Sequence, residues 1–389
     1  NVKVDREERP DVDDIYMTAV QVMTGHGGWP MSVFLTPPCA EGPDDRGLRP
    51  YYAGTYFPPT PSRGMPGFPQ LLEALSDAYV SKRDDVLTQS KQIAHAVENH
   101  LGHRDTSGDV TVDLVQRVAN QLVRNFDTEH GGFGGAPKFP QPGNLALLLA
   151  VHRNNPNPQL WHAIEHTLDR MARGGMYDQI GGGFHRYSTD AEWLVPHFEK
   201  MLYDNGQLLE LYAGAHALQP PANDPTQYER VARETAEYVL REMTDETGAF
   251  WSAQDAEVDA MEGGNYVWLP RQIDDAIADE KQAAASQSLY GLDRGTNFRD
   301  PHHPDATPVN VLFQPVPLPA FAEANGMSLD DAIAMRDKVN AELLQVRDRR
   351  KQPGTDDKVL VSWNGLLIAG LAKTGQVFSE PRYIESAGV

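Results

Sequence analysis

Glycine-rich loops that end in an aromatic residue recur along this chain and constrain its fold more than any other feature. They are His130–Gly135, Gly181–Phe184 and Thr247–Phe250, and their phenylalanines are 51 and then 66 residues apart. A helical hairpin cannot bury its own apolar face, so repeated hairpins must pack around a centre. The loops therefore indicate a toroid or solenoid. The alternative is that the glycines only cap helices, where the left-handed backbone suits glycine.

Beyond Val110, the apolar spacing predicts helices and no convincing strand pairs. The predicted helices lie near residues 112–126, 143–154, 158–173, 196–218, 225–243, 270–279, 328–349 and 362–378. This part of the chain is therefore expected to be all-helical.

The N-terminal residues, 1–101, have a different pattern that alternates helices with short strands. Helices are predicted over residues 12–23 and 68–97, and strands over Ser32–Leu35 and Tyr51–Phe57. Residues 102–109 are polar and are predicted to be a linker. An α/β domain is thus expected to precede a helical domain that occupies residues 110–389.

The composition argues against several classes of protein. With 34 basic and 55 acidic side chains among 389 residues, the net charge is −21, whereas a nucleic-acid binder needs a basic patch. No apolar run approaches the roughly 20 residues that span a bilayer, and no signal peptide is recognisable. Because Cys39 is the one cysteine, no intrachain disulfide can form, and a cytoplasmic location is expected. The start without Met and the end after a helical run lead us to expect a fragment.

The densest polar stretch is Gly174–Asn205. His185 and Arg186 directly follow three glycines, which allow the backbone to approach a ligand closely. These two side chains are therefore candidates for a binding or catalytic site.

The second half of this stretch is predicted to start a helix at Pro196. On such a helix His197, Lys200 and Asp204 share one stripe. A histidine, a cation and a carboxylate on one stripe suit the binding of a polar ligand or proton transfer. The alternative is a solvated helix face with a weak Lys200–Asp204 pair.

Two further segments combine aromatic rings with carboxylates. Residues 250–268 include Gln254 and Asp255, and residues 356–365 include Asp357, Lys358, Trp363 and Asn364. Rings stack on sugar faces, and carboxylates accept hydroxyl hydrogen bonds or act as acid and base. The segments therefore favour a sugar site, although acidic loops are common in so acidic a chain.

Metal and nucleotide sites are not predicted. The histidines lack ligand spacing with carboxylates, and the zinc-protease pattern His-Glu-x-x-His is absent, as are convincing glycine-rich phosphate-binding motifs. We expect no metal and no cofactor.

Several long motifs resemble those of one family. Val2–Asp11, Gly27–Pro37 and Gly54–Pro58 are similar to the thioredoxin-like domain of the spermatogenesis-associated protein 20 family, whose prokaryotic members are called thioredoxin-domain-containing proteins. Gly134–Pro140, Gly182–Asn205, Ser252–Ala256 and Asp357–Gly365 resemble its second domain. The resemblance covers essentially the whole chain.

This resemblance implies a partial α/β thioredoxin-like domain followed by an all-α (α/α) barrel, similar to six-hairpin glycosidases and N-acylglucosamine 2-epimerases and incomplete at its C-terminus. Pro30 occupies the place of the cis-proline of thioredoxin folds. The family's Cys-x-x-Cys-type segment would precede residue 1, and Cys39 lies elsewhere.

Three functions follow as hypotheses: a carbohydrate-active enzyme, either an epimerase or a hydrolase; a thiol-redox protein that needs the upstream cysteine pair; and a non-catalytic ligand-binding protein. For the enzyme, the expected ligand is a small molecule such as a sugar. The candidate catalytic residues are His185, His197, Glu199, Asp204, Asp255 and Asp357. The candidate substrate-binding residues are Asp178, Arg186, Trp193, Lys200, Tyr203, Gln254, Lys358, Trp363 and Asn364.

Overall fold

The structure is a computed structural model that describes residues 1–62, 64–102 and 108–388. The chain separates into two compact units, with the boundary between Asp109 and Val110. Most of the predicted linker, residues 103–107, lies outside the described residues.

The first unit combines three helices with a two-stranded sheet in its described part. Its elements are α1 (Pro10–Thr24), β1 (Ser32–Leu35), β2 (Pro50–Gly54), α2 (Phe68–Ser81) and α3 (Arg83–Gly102). Helix α1 starts with a proline and ends at Gly25, which has a left-handed backbone with φ of 80°.

Strands β1 and β2 of this unit pair antiparallel, with Ser32 opposite Gly54. The Trp29–Pro30 peptide bond just before β1 is cis. A small apolar core joins Ala19 of α1 to Ile93 and Val97 of α3. The predicted α/β character of this unit is therefore confirmed.

The second unit is mainly helical. Its helices are α4 (Val112–Arg124), α5 (Pro142–Asn154), α6 (Pro158–Arg173), α7 (Leu202–Leu218), α8 (Gln227–Glu242), α9 (Pro270–Ala276), α10 (Glu280–Leu289), α11 (Leu318–Ala324), α12 (Leu329–Asp348), α13 (Val361–Val377) and α14 (Pro381–Ala387), with a 3₁₀ turn at Leu292–Arg294.

These helices alternate between two layers along the chain. Helix α7 packs between α5 and α13, while α4 and α6 pack on α5, α8 packs on α7, and α14 packs on α13. A core of residues such as Leu145, Leu209, Tyr212 and Leu371 fills the space between the layers. This alternation is the (α/α) arrangement that the sequence led us to expect.

A separate helical lobe lies in the chain between α8 and α13. Helices α9 to α12 surround their own apolar core, which includes Trp268, Ile273, Tyr290 and Leu343. The lobe also contributes the side chain of Arg347 to the site described below.

The prediction that no strand pairs follow Val110 was wrong. Among residues 110–388, seven short strands occur: β3 (Tyr187–Ser188), β4 (Pro196–His197), β5 (Lys200–Met201), β6 (Ala253–Gln254), β7 (Glu257–Val258), β8 (Met261–Glu262) and β9 (Thr355–Asp356). They form β3–β4 and β7–β8 pairs and a β5–β6–β9 sheet. Strands of two residues are too short to leave a period-two pattern in the sequence.

The prediction of a helix that starts at Pro196 was also wrong, because α7 starts at Leu202. The residues before it are extended, since His197 pairs with Tyr187 and Lys200 pairs with Gln254. Tertiary pairing satisfies the backbone there, so the local helix signal is overridden. His197 and Lys200 therefore do not share a helix stripe with Asp204.

The three glycine-aromatic loops close in the same way. Isolated β-bridges join Phe126 to Phe133, Tyr177 to Phe184, and Thr244 to Phe250. In each loop an aspartate follows the first bridge residue, and its carboxylate accepts backbone N–H bonds: Asp127, Asp178 and Asp245. Helices α4, α6 and α8 end before these glycines, so the repeat is more than helix capping.

Candidate functional site

Two of the repeated loops each contain a buried lysine that pairs with the aspartate of the loop. Lys138 Nζ donates to Asp127 Oδ2 at 2.6 Å and to the Gly131 carbonyl at 2.8 Å. Lys200 Nζ donates to Asp178 Oδ2 at 2.8 Å and to the Gly182 carbonyl at 2.9 Å. Both lysines are fully buried. The repetition assigns Lys200 and Asp178 a role in holding the loop together.

Two asparagines at the starts of α7 and α13 also perform one shared task. Asn205 accepts from the Phe184 N–H at 2.7 Å and donates to the Phe184 carbonyl at 3.0 Å. Asn364 accepts from the Phe250 N–H at 3.0 Å and donates to its carbonyl at 2.9 Å. Asn364 therefore anchors the third loop as Asn205 anchors the second.

The segment between the phenylalanine and the lysine is much longer in the second loop than in the first. Lys138 follows Phe133 by five residues, whereas Lys200 follows Phe184 by sixteen. Residues 185–189 and 195–199 run antiparallel, with N–H donors of Arg186 to Glu199 and of Thr189 to Val195. In extended backbone, neighbouring side chains point to opposite faces. Within each segment, this separates His185 from Arg186, and it separates Phe198 and Lys200 from His197 and Glu199.

Contacts among partly exposed side chains define what we call the outer cluster: Arg186, Tyr187, His197, Glu199 and Glu262. His197 Nδ1 lies 2.9 Å from Glu262 Oε1, and its Nε2 lies 3.9 Å from Glu199 Oε2. Arg186 donates to Glu199 at 2.8 Å. The Tyr187 ring stacks on His197 with centroids 5.0 Å apart. The cluster thus holds an imidazole in a fixed orientation between two carboxylates.

This cluster is accessible, because the side chains of His197 and Glu199 remain 29% and 26% exposed. Nearby, Tyr203 and Trp363 meet edge to face at 4.7 Å, each partly exposed. The combination of ring faces with carboxylates, an arginine and a histidine suits a polyhydroxyl ligand.

Asp204, in the first turn of α7, is buried beside this cluster. Its Oδ2 atom has no hydrogen-bond partner among the residues that the structure describes. Burial raises the pKa of Asp204 to about 8; Arg186 lowers it in part, and Glu199 raises it further. A carboxyl group that stays protonated near neutral pH can donate a proton.

Buried side chains form what we call the inner cluster: Asp178, His185, Lys200, Tyr266 and Arg347. Arg347 of α12 donates to both Asp178 oxygens, at 2.7 and 2.8 Å. Burial alone would raise the pKa of Asp178, but Arg347 and Lys200 hold it well below its usual range. Two cations therefore share one buried carboxylate, which ties the helical lobe to the second loop.

His185 belongs to this buried side and is inaccessible. It is 2% exposed, its Nδ1 lies 2.9 Å from the Phe198 carbonyl, and its ring packs edge-on against Tyr266. Burial, with a smaller effect of Lys200, lowers the pKa of His185 to about 3. The adjoining cavity is about 10 Å³, which is the space of one water molecule.

The other predicted site residues are spread over different surroundings. Trp193 is fully buried and donates to the His130 carbonyl at 3.0 Å. Gln254 is buried and accepts from the Tyr238 hydroxyl at 2.7 Å. Lys358 pairs with Asp356 at 2.9 Å. Asp255 and Asp357 are exposed.

The candidate residues did not include Glu262 or Arg347, although Glu262 lies in the segment 250–268 that favoured a sugar site. Glu262 belongs to β8 and Arg347 to α12, and they are 65 and 169 residues from their partners His197 and Asp178. Tyr187 was also missed, although it directly follows Arg186 in the densest polar stretch. A period-two reading of residues 196–200 would have placed His197 and Glu199 on one face, but it would not have brought Arg186 and Tyr187 together, because they are neighbours in the chain.

Within residues 1–62, 64–102 and 108–388, no three metal-binding side chains come together as a metal site. In the same residues, no helix has the length and apolar character needed to cross a membrane.

Comparisons with known proteins identify relatives of both units. Residues 1–98 match the Thioredox_DsbH family model, described as "Protein of unknown function, DUF255", and the first unit is thioredoxin-like. A crystal structure titled as a sugar epimerase from ruminal bacterium covers 71% of this chain and 84% of its own, at 13% identity and a TM-score of 0.32. Similarity at that level carries no argument about function.

The full chain aligns with longer relatives. Spermatogenesis-associated protein 20 of Homo sapiens is 35% identical over 100% of this chain and 50% of its own length. Its Mus musculus counterpart is 34% identical over 99% and 50%. The chain thus spans about half the length of these relatives. From one end to the other, it belongs to the spermatogenesis-associated protein 20 family.

Proposed function

We propose that the second unit binds a carbohydrate and transfers a proton on it, with His197 as the acid–base residue. The observation that carries the proposal is the position of His197, between the Glu262 and Glu199 carboxylates and against the Tyr187 ring. The repeated loop structure does not require any of these contacts, since the first loop closes without them.

The partners of His197 define which nitrogen reacts. The Glu262 carboxylate accepts a hydrogen bond from Nδ1–H of His197 at 2.9 Å. In the neutral ring, the lone pair therefore lies on Nε2. A carboxylate that orients a histidine also stabilises its protonated form. Nε2 is consequently the atom that would take a proton from a ligand.

Asp204 supplies the complementary acid. Since its pKa is raised to about 8 by burial, it carries a proton at neutral pH. In a ring-opened sugar, His197 takes the proton from the carbon beside the carbonyl, and Asp204 gives its proton to the carbonyl oxygen. The product is an enediol. His197 can return a proton to the same carbon, and if the enediol first turns its other face towards His197, that return inverts the carbon.

The remaining accessible candidates bind the ligand in this scheme. Arg186 is held by Glu199 at 2.8 Å and offers its other N–H groups to hydroxyls, while Tyr203 and Trp363 supply ring surfaces. Lys358, Asp255 and Asp357 are exposed or partly exposed, and we keep them as peripheral contacts.

The buried candidates support the site from behind in this proposal. They are Asp178, His185, Trp193, Lys200 and Gln254, together with the half-buried Asn364, and they have hydrogen-bond partners inside the protein.

The test is whether the protein exchanges a carbon-bound hydrogen of a sugar for deuterium. Each sugar is incubated with the protein in D₂O, and its signals are followed by proton NMR. The panel contains glucose, mannose, N-acetylglucosamine and their disaccharides. We expect loss of the signal of the hydrogen at C2 of one of these sugars with wild-type protein. His197→Asn should slow exchange at least about 100-fold, and Glu262→Gln should slow it less.

The matched control is His162→Asn, because His162 is exposed on α6, outside the outer cluster. It should exchange at the wild-type rate. Sugar binding without exchange would assign the unit to non-catalytic ligand binding. Unchanged sugar affinity in the double variant His197→Asn/Arg186→Ala would reject this site.

A further inference from the structure

Phe139 is a large aromatic side chain that the fold leaves 43% exposed. Its neighbours Lys138 and Pro140 are buried. Single exposed apolar side chains are common on protein surfaces, so a binding role for Phe139 depends on how it is held and on what surrounds it.

The backbone around Phe139 is fixed on both sides. Lys138 exchanges two backbone hydrogen bonds with Ser188, at 2.8 and 2.9 Å. Its buried ammonium also donates to Asp127, to the Gly131 carbonyl and to the Ala191 carbonyl at 2.9 Å. The segment that carries Phe139 is thereby attached to the second glycine-aromatic loop, and Phe139 is held beside Tyr187.

Phe139 continues a row of rings that ends in the outer cluster. Its centroid lies 4.8 Å from that of Tyr187, and the Tyr187 centroid lies 5.0 Å from that of His197. The row therefore leads from His197 through Tyr187 to the exposed ring of Phe139, with successive centroids 5.0 and 4.8 Å apart.

The charges near the row favour an uncharged ligand. Arg186 is already paired with Glu199 at 2.8 Å, and Glu262 adds a further carboxylate beside His197. An anionic group would meet two carboxylates and one neutralised arginine. A neutral sugar instead presents C–H groups to ring faces and hydroxyls to the carboxylates.

We propose that Phe139 forms a second subsite, which stacks on the second ring of an uncharged disaccharide or longer oligosaccharide whose first ring lies at His197. This proposal rests on the carbohydrate function proposed above and names its substrate class. The sugar unit at Phe139 is bound through stacking, while the unit at His197 undergoes the chemistry.

The experiment measures dissociation constants by titration calorimetry for glucose with cellobiose and maltose, and for mannose with mannobiose. We expect wild-type protein to bind one disaccharide about tenfold more tightly than its monosaccharide. Phe139→Ala should remove that preference and leave monosaccharide affinity unchanged, whereas Phe139→Trp should retain it.

Leu218→Ala is the matched control, since Leu218 is an apolar side chain of the same unit that is 40% exposed at the end of α7. It should keep the preference. Circular dichroism melts confirm that each variant is folded. Equal affinity of wild-type protein for monosaccharides and disaccharides, or a preference that persists in Phe139→Ala, would overturn this subsite and leave the proposed function standing. No binding of any sugar would reject both.

Discussion

The first and second glycine-aromatic loops share one framework and differ in what is added to it. Each has an aspartate that accepts backbone N–H groups, a buried lysine paired with that aspartate, and a bridge between aromatic residues. The second loop adds an antiparallel excursion, residues 185–199, before its lysine. What the two loops share is needed for closure, and what only the second has is available for function.

The same comparison separates the buried from the accessible side chains of the excursion. His185 and Phe198 complete the buried side, while Arg186, His197 and Glu199 remain accessible. The densest polar stretch of the sequence is thus half structural and half a candidate site.

The largest expected effect concerns the aspartates of the two loops. Asp178→Ala leaves Lys200 and Arg347 buried without their carboxylate and should cost about 3–5 kcal/mol of unfolding free energy. Asp127→Ala leaves one buried cation, and Asp127 is 22% exposed, so about 1–3 kcal/mol is expected. Urea unfolding followed by tryptophan fluorescence reports mainly on the second unit, which holds five of the six tryptophans.

Asp245→Ala serves as the control for this pair, because Asp245 caps the third loop at a partly exposed position. It should be the least destabilised of the three. Equal losses for Asp178→Ala and Asp127→Ala would show that Arg347 adds nothing to the second loop.

The next largest effect concerns Asp204, which has no counterpart in the first loop. Its pKa is about 8 in the folded protein and about 3.8 when unfolded, so the unfolded chain loses its proton first as pH rises. Asp204 therefore lowers stability progressively from about pH 4 to pH 8, by at most ~1.4 kcal/mol per pH unit.

Asp204→Asn should remove this slope. Between pH 5 and pH 7, the unfolding free energy of wild type should fall by on the order of 2 kcal/mol relative to that of the variant. Urea unfolding of both proteins at pH 5, 6 and 7 measures it. Parallel pH profiles for the two proteins would mean that Asp204 is ionised in the folded state.

The smallest effect compares the anchors of the second and third loops. Asn205→Ala and Asn364→Ala each remove hydrogen bonds to a phenylalanine backbone, at 2.7–3.0 Å. Each should cost about 1–2 kcal/mol in urea unfolding. Neither should alter sugar exchange beyond a few-fold, and a complete loss of exchange in Asn364→Ala would return Asn364 to the binding site.

Much of the helical framework could be predicted from the sequence. Predicted helices over residues 143–154 and 158–173 correspond closely to α5 and α6, because their apolar spacing and starting prolines are local signals. The missed helices α10, α11 and α14 have only ten, seven and seven residues, so each is shorter than the window in which a helical period can be recognised.

The candidate site was predictable in its membership more than in its geometry. His197, Arg186 and Glu199 stand in a conspicuous segment, but the assumed helix placed His197 with Lys200, whereas extended backbone places it with Glu199. Glu262 and Arg347 could not be assigned, since nothing local in the sequence relates them to His197 and Asp178.

The alternation of helices with glycine-aromatic loops follows from local sequence signals, because periodicity, glycine and proline act over a few residues. The directions of the side chains of residues 185–201, by contrast, are set by long-range contacts. These directions depend on pairing between segments distant in the chain. They also depend on Glu262 of β8 and on Arg347 of the helical lobe, which satisfy charges that the local sequence leaves unmatched.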